Sequence, residues 1–352
     1  MLRCALRFHP FSHLPAAVCL LPKTRLKLRV FPARVEFFDC GAEHPLFHLT
    51  LDVQGPVEEF TTVVDLERYQ VRVWGKTARG FLRYTLERSP QGVTFTAEKV
   101  PGEALAVQGN SPFVLRAKEK ILFPWTWRET PPPPTEERLS LGIHKQQEWE
   151  GIKRRLDFKE IFPLWMRLGQ HTPLPETSPA DPLLERCRSV VQGKRKMDIL
   201  EAFKHLFLAG FEGILVPRLF DADYQGIAAG QKISPAALTQ GAALIRSLFF
   251  CEENEVLEIL PLLPPDFPAG RFLGVRSRAG DRIDMEWTKK QLRRLIIQRA
   301  SDLPLQFLLP AVLKRCRVRY TEKERGREEN VKEGRLLVES PKQLVIVDRF
   351  ER

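Results

Sequence analysis

The amino-acid sequence predicts a multidomain α+β protein with an N-terminal antiparallel β-sandwich, a short α-helical middle and a C-terminal β-sandwich. Three observations carry this prediction. Short runs in which apolar and polar residues alternate fill both ends of the chain, as strands with one buried face require. Between about residues 135 and 251 the apolar spacing becomes that of helices. Prolines mark the joints: 28 in 352 residues is about 8%, against a usual ~5%, and they gather where one pattern gives way to the next. A chain of this length holds two or three cores. The boundaries fall at 1–130 for the first sandwich, 131–136 for a proline-rich linker, 137–253 for the helices and 254–352 for the second sandwich.

In the first region the alternating runs are 25–30, 46–53, 69–74, 80–86 and 93–97, separated by the turn residues of 39–41, 54–56 and 89–92. Residues 131–134 are four consecutive prolines, a stiff polyproline segment. In the middle, Asp157 begins a capping-box-like start, and Asp181-Pro182 opens a helix that Gly193 closes. Asp198 precedes the stripe Ile199, Leu200, Phe203, Leu206, Phe207, and Ser234-Pro235 precedes Leu244, Ile245, Leu248 and Phe249. Five helices fit. Seven strands are expected after residue 255: 256–260, 272–276, 282–287, 292–298, 313–320, 335–339 and 344–347.

Composition narrows the function classes. No run reaches the ~18 to 20 apolar residues of a membrane span. Residues 1–35 carry seven Lys or Arg and no acid, with an apolar stretch over 14–21 but no small-x-small cleavage site. A basic first strand in a cytoplasmic protein is the expected reading, and export by an N-terminal signal is the alternative. The six cysteines (Cys4, Cys19, Cys40, Cys187, Cys251, Cys316) make no CxxC and no zinc spacing, so buried free thiols are expected, with no metal and no cofactor. The net charge of +11 raises nucleic acid as a partner. Yet the basic residues are spread over the whole chain; the densest stretches are 289–299 and 314–335, and the second is interleaved with Glu322, Glu324, Glu328, Glu329 and Glu333, as solvated strand faces are. Nucleic acid is therefore not the expected partner, and the sequence carries no signal for oligomeric state.

One stretch carries a resemblance. LPLLP at 260–264 is followed by FPAG at 267–270, GVRSRAG at 274–280 and IDMEW at 283–287. The prolines end a strand, the glycines allow tight corners and Trp287 is a core anchor. In this order they resemble the entry into the C-terminal β-domain of family 95 glycoside hydrolases, the α-L-fucosidases and their relatives. There the runs read roughly LPALP, WP-x-G, GLRARGG and VDLEW. The helix GAALIRSL at 241–248 resembles the last helix of that family's six-fold α/α barrel, and the resemblance extends over about 213–350. The helical middle is thus expected to be truncated and α/α-barrel-like. A ring of twelve helices needs about 300 residues at ~25 to 30 each, and the 117 residues of 135–251 have room for five.

The resemblance does not extend to the catalytic residues. In the family an Asp before the last barrel helix supports an Asn base, whereas residues 231–241 here contain no Asp. Shifting toward 220–225 puts Ile227 or Ala228 in its place. No match to the general-acid Glu is present either, and inverting hydrolysis needs an acid and a water-activating group on opposite sugar faces.

Two clusters remain as ligand-binding candidates. Asp221, Asp223, Tyr224 and Gln225 read as a solvated loop or helix cap, or as sugar contacts. His144, Glu148 and Trp149 stand at helical i, i+4, i+5 spacing, with Trp165 further on. They read as a half-buried helix face, or as a base, an acid and a stacking ring. His205 is expected to be a satisfied core histidine, and Trp125 and Trp127 to pack on the proline linker. Three functions follow: a degenerate glycoside-hydrolase-like protein with a non-catalytic carbohydrate-binding or interaction role, an active glycoside hydrolase with a rearranged site, and a structural or regulatory protein without sugar binding. A saccharide is the expected partner.

Overall fold

The computed structural model describes residues 2, 4, 6–40, 42, 44–109, 111–173, 181–209, 236–321, 324–339 and 344–351. Its N-terminal strands are β1 (Phe11–Ser12), β2 (Ala17–Leu20), β3 (Leu26–Phe31), β4 (Arg34–Asp39), β5 (Phe47–Leu51) and β6 (Glu58–Asp65). They continue as β7 (Gln70–Thr77), β8 (Gly80–Ser89), β9 (Gly92–Lys99), β10 (Leu105–Gln108), β11 (Pro112–Leu115) and β12 (Lys120–Pro124). Two six-stranded sheets result, ordered β1-β6-β7-β8-β9-β12 and β11-β10-β5-β4-β3-β2. Alternation decides which face is buried. In β3, Leu26, Leu28 and Val30 enter the core while Lys27 and Arg29 face out. On that outer face Phe38 lies under the Lys27 ammonium and the Arg29 guanidinium, 5.3 and 5.1 Å from its ring centre. Inside, Tyr84 stacks on Phe95 at 4.7 Å.

Among the described residues five helices form, and side-chain caps account for the starts of two of them; the Ser234-Pro235 start lies outside those residues. After β13 (Arg138–Ser140) come α1 (Trp149–Arg155), α2 (Phe158–Gln170), α3 (Pro182–Gln192), α4 (Ile199–Ala209) and α5 (Ala236–Phe249). Asp157 accepts the Lys159 amide at 3.0 Å, and Asp181 accepts those of Leu183 and Leu184 at 2.9 and 3.2 Å, satisfying first-turn donors. α2 is buried along most of its length, Glu160 and Arg167 included, with its apolar residues toward the core. It crosses α5 where Gly169 and Gly241 let the helices close. A Cβ at Gly241 would stand 2.5 Å from the Trp165 ring. Rings fill the space between helices: Phe162 meets Phe203 at 5.0 Å, and Trp165 meets Phe203 at 5.8 Å, all three fully buried.

Beyond α5 lie β14 (Phe250–Glu253), β15 (Val256–Ile259), β16 (Gly270–Arg276), β17 (Arg282–Thr288) and β18 (Gln291–Gln298). β19 (Leu305–Leu308), β20 (Arg315–Arg319), β21 (Arg327–Asn330), β22 (Arg335–Val338) and β23 (Leu344–Glu351) complete them. A seven-stranded sheet runs β13-β16-β17-β18-β23-β20-β21 and a four-stranded sheet runs β14-β15-β19-β22. Ten strands thus follow α5 where seven were expected. β14 continues out of α5 without a break, β19 is only four residues long, and the sequence of β21, REEN, has no apolar residue to show alternation. β13 was read as part of the helical region, and its partner β16 lies more than a hundred residues away. The mixed-charge run pairs on itself, with Arg317 opposite Glu328 across β20 and β21.

The helices and the second sandwich share one core. Phe162 meets Phe267 at 5.5 Å, Phe249 stacks on Trp287 at 5.4 Å, and the Trp287 indole donates to the Phe267 carbonyl at 3.1 Å. Four of the six cysteines, Cys19, Cys40, Cys187 and Cys316, are buried, and all six are free thiols. No helix among the described residues is long and apolar enough to cross a membrane.

Candidate functional site, a basic groove beside the N-terminal segment

Residues 6–12 lie between β6 and the stretch that leads into α1. On one side the Val64 and Leu66 amides donate to the carbonyls of Pro10 and Phe8 at 2.9 and 3.1 Å. On the other, the Phe11 amide donates to the Gln147 carbonyl at 2.9 Å, and Phe11 forms a parallel bridge with Glu148. The Gln147 side chain then acts like a strand backbone. Its oxygen accepts the His9 amide at 2.7 Å and its NH₂ donates to the Arg7 carbonyl at 2.7 Å. Phe8, fully buried, pins the segment to the core.

This pairing makes a cleft of about 360 Å³ lined by Leu6, Arg7, His9, His144, Lys145 and Gln147. A separate small pocket of about 10 Å³, beside Lys159, Glu160 and Pro163, borders it and shares Leu6, Lys145 and Gln147. Arg7 and Lys145 are exposed and bring two formal positive charges. None of the six lining residues is a carboxylate. Asp65 stands behind His9, its oxygen 3.1 Å from Nε2, within ion-pair distance but outside hydrogen-bond geometry. The same Asp65 oxygen accepts the amides of Glu67 and Arg68 at 3.1 and 2.9 Å, which holds it still.

Of the residues expected to bind ligand, His144 lines this groove, exposed and in extended chain. The helical spacing of His144, Glu148 and Trp149 does not form, because α1 begins only at Trp149 with Glu148 as its N-cap. Trp149 is buried, so its ring packs in the core and presents no face for stacking. Glu148 is half-buried beside the bridge to Phe11. Asp221, Asp223, Tyr224 and Gln225 lie outside the described residues. His205 is not a core residue: it is about one-third exposed and sits 3.0 Å from Glu201, one helical turn before it. The residue sits on the solvent-facing side of an amphipathic helix. Trp127 donates to the Ser89 carbonyl at 2.8 Å and lies under the Arg88 guanidinium, while Trp125 packs on Phe47; both belong to the sandwich.

A second polar cluster joins the first sandwich to α2. Glu67 takes hydrogen bonds from Arg138 and from the Phe8 amide, and stands 4.0 Å from Arg167. Arg167 is buried and donates to the Thr135 carbonyl at 2.8 Å. Burial, and then the charges of Arg167, Lys23 and Arg138, press the His171 pKa down to about 3. Its Nε2 is buried without a hydrogen-bond partner, and its ring meets Tyr69 edge-on at 4.8 Å. Nearby, Glu137 accepts from Arg246, Gln170 and the Arg276 amide, tying the linker to α2, α5 and β16. Among the described residues no three His, Cys, Asp or Glu side chains stand together as a metal site.

Arg7, His9, Lys145 and Gln147 went unread in the sequence. The only local signal was the acid-free, basic N-terminus, and the contacts that assemble the groove span about 138 residues. Comparison with known families gives one match: the description "Glycoside hydrolase family 95, C-terminal domain" fits residues 252–343. The region from the end of β14 through β22 is therefore similar to that domain, in agreement with the resemblance carried by residues 260–287. No curated protein matches the chain.

Proposed function

We propose that the protein is a non-catalytic carbohydrate-binding module on a glycoside-hydrolase-like scaffold, and that the groove of His9, His144 and Lys145 is where the saccharide sits. The reading rests on the match of residues 252–343 to a glycosidase C-terminal domain. One observation carries its non-catalytic part. The interior between α2, α4 and α5 is packed with Phe162, Trp165, Phe203 and Phe207, and the open groove has no carboxylate in its lining. Glycoside hydrolysis in the usual two-carboxyl scheme needs both an acid and a water-activating or nucleophilic group at the sugar. Imidazole, ammonium and amide groups instead donate hydrogen bonds to sugar oxygens, which is a binding chemistry. A cytoplasmic, reducing setting belongs to the same proposal, supported by the four buried free thiols.

A thermal-shift screen of the full chain against an oligosaccharide panel tests this. A ligand at about 100 times its Kd raises the midpoint by several degrees. A panel without any shift would remove the carbohydrate role. Turnover of aryl-fucosides or aryl-galactosides, lost in Asp221→Asn or Asp223→Asn, would replace this reading by an active hydrolase with a rearranged site.

A further inference from the structure

We infer that the saccharide taken by this groove is an acidic one, carrying carboxylate or sulfate groups. The inference rests on the groove being the binding site and adds the class of ligand. Arg7 and Lys145 are exposed side chains that line the groove, one from the N-terminal segment and one from the stretch before α1. Gln147 clips the Arg7 and His9 backbone to the chain next to Lys145, which keeps the two side chains in one neighbourhood. Two cations in one groove, with no acid among its six lining residues, attract an anion. Guanidinium and ammonium then give charge-assisted hydrogen bonds, roughly twice as strong as the neutral bonds a plain sugar hydroxyl would make. His144 adds its exposed imidazole to the same space, while the Nε2 of His9 is buried toward Asp65.

A nucleic-acid strand would also supply anions, but single-strand grooves combine cations with aromatic platforms on which bases stack. No Phe, Tyr or Trp lines this one, and the nearest indole, Trp149, is buried. The bulk charge of +11 is likewise insufficient, since it is spread over the surface and defines no gap.

The test is calorimetric titration of the full chain at 150 mM salt with hexagalacturonate, a heparin-derived hexasaccharide, neutral maltohexaose and a dA hexamer. At least one acidic hexasaccharide is expected to bind about tenfold or more tightly than maltohexaose. That advantage should vanish in the Arg7→Gln/Lys145→Gln double variant. The carboxylate and sulfate arms identify which group is recognised. Because both side chains are exposed, the variant is expected to keep the wild-type melting temperature, which is measured alongside. An Arg293→Gln/Arg294→Gln control, altering exposed charges on β18, should bind as the wild type does.

Equal binding of neutral and acidic sugars overturns the inference while leaving the carbohydrate role standing. Absence of binding by every sugar removes both. Loss of acidic-sugar binding in the control to the same extent overturns it in favour of diffuse charge. Binding of the dA hexamer as tightly as the sugars, with the same dependence on Arg7 and Lys145, overturns it in favour of a phosphate-backbone ligand.

Discussion

At His171 the fold encloses an imidazole among three cations, and the consequence is measurable. Its ordinary value is 6.5 and burial brings the folded value to about 3. Between those two the unfolded chain holds one more proton than the native one, so stability rises with pH and is lost as pH falls below 6.5. The loss is up to about 1.4 kcal/mol per pH unit. Urea unfolding of wild type should therefore weaken by about 2 kcal/mol more between pH 7 and pH 5 than that of His171→Gln, whose amide cannot protonate. Identical slopes for the two proteins would mean that His171 takes up its proton in the native state. The residue scale is also where sequence reading failed most. Glu148 and Trp149 suggested one helix face with His144, but Gln147 pairs with the backbone of residues 7 and 9, so His144 remains in extended chain. A partner 138 residues away leaves no periodic trace.

Elements were read well wherever their ends carry their own chemistry. Asp157 and Asp181 mark helix starts because their carboxylates accept first-turn amides, while Gly193 ends α3 with its own amide donating back to the Ser189 carbonyl. Among the strands with no expected counterpart, β13, β14 and β21 are defined by pairing alone, while β4, β6 and β19 also lie outside the alternating runs. The contact of α2 with α5 is a matter of shape and gives a sharper test. Gly241→Ala should add about 1 kcal/mol of helix propensity, yet its methyl would meet the Trp165 ring at 2.5 Å. Trp165 is fully buried and its indole donates to the Leu238 carbonyl at 3.1 Å, so it has nowhere to yield. Overpacking of this kind costs about 1–3 kcal/mol and should win, lowering the melting temperature by several degrees. A rise in melting temperature would show that propensity governs the site and that the helices separate freely.

For the whole molecule, the aromatic contacts of Phe162, Phe249, Phe267 and Trp287 pack the helices against the second sandwich. The first sandwich meets them through buried apolar residues, backbone pairing at Phe11 and Lys23, and a charge cluster with Glu67 between Arg138 and Arg167. Glu67→Ala leaves the buried Arg167 without its carboxylate partner, at a cost of about 3 kcal/mol. Differential scanning calorimetry should show one transition in wild type and two in the variant, the earlier belonging to the first sandwich. A single transition at the wild-type temperature would mean that the β1–α1 contacts alone hold the two parts together.

β23 sits in the middle of its sheet, between β18 and β20. Removing residues 344–351 would leave the facing edges of β18 and β20 with their amides and carbonyls unpaired. The family match ends at residue 343, so it stops short of the strand that joins these two. Open edges of that kind recruit other strands, whichever chain supplies them.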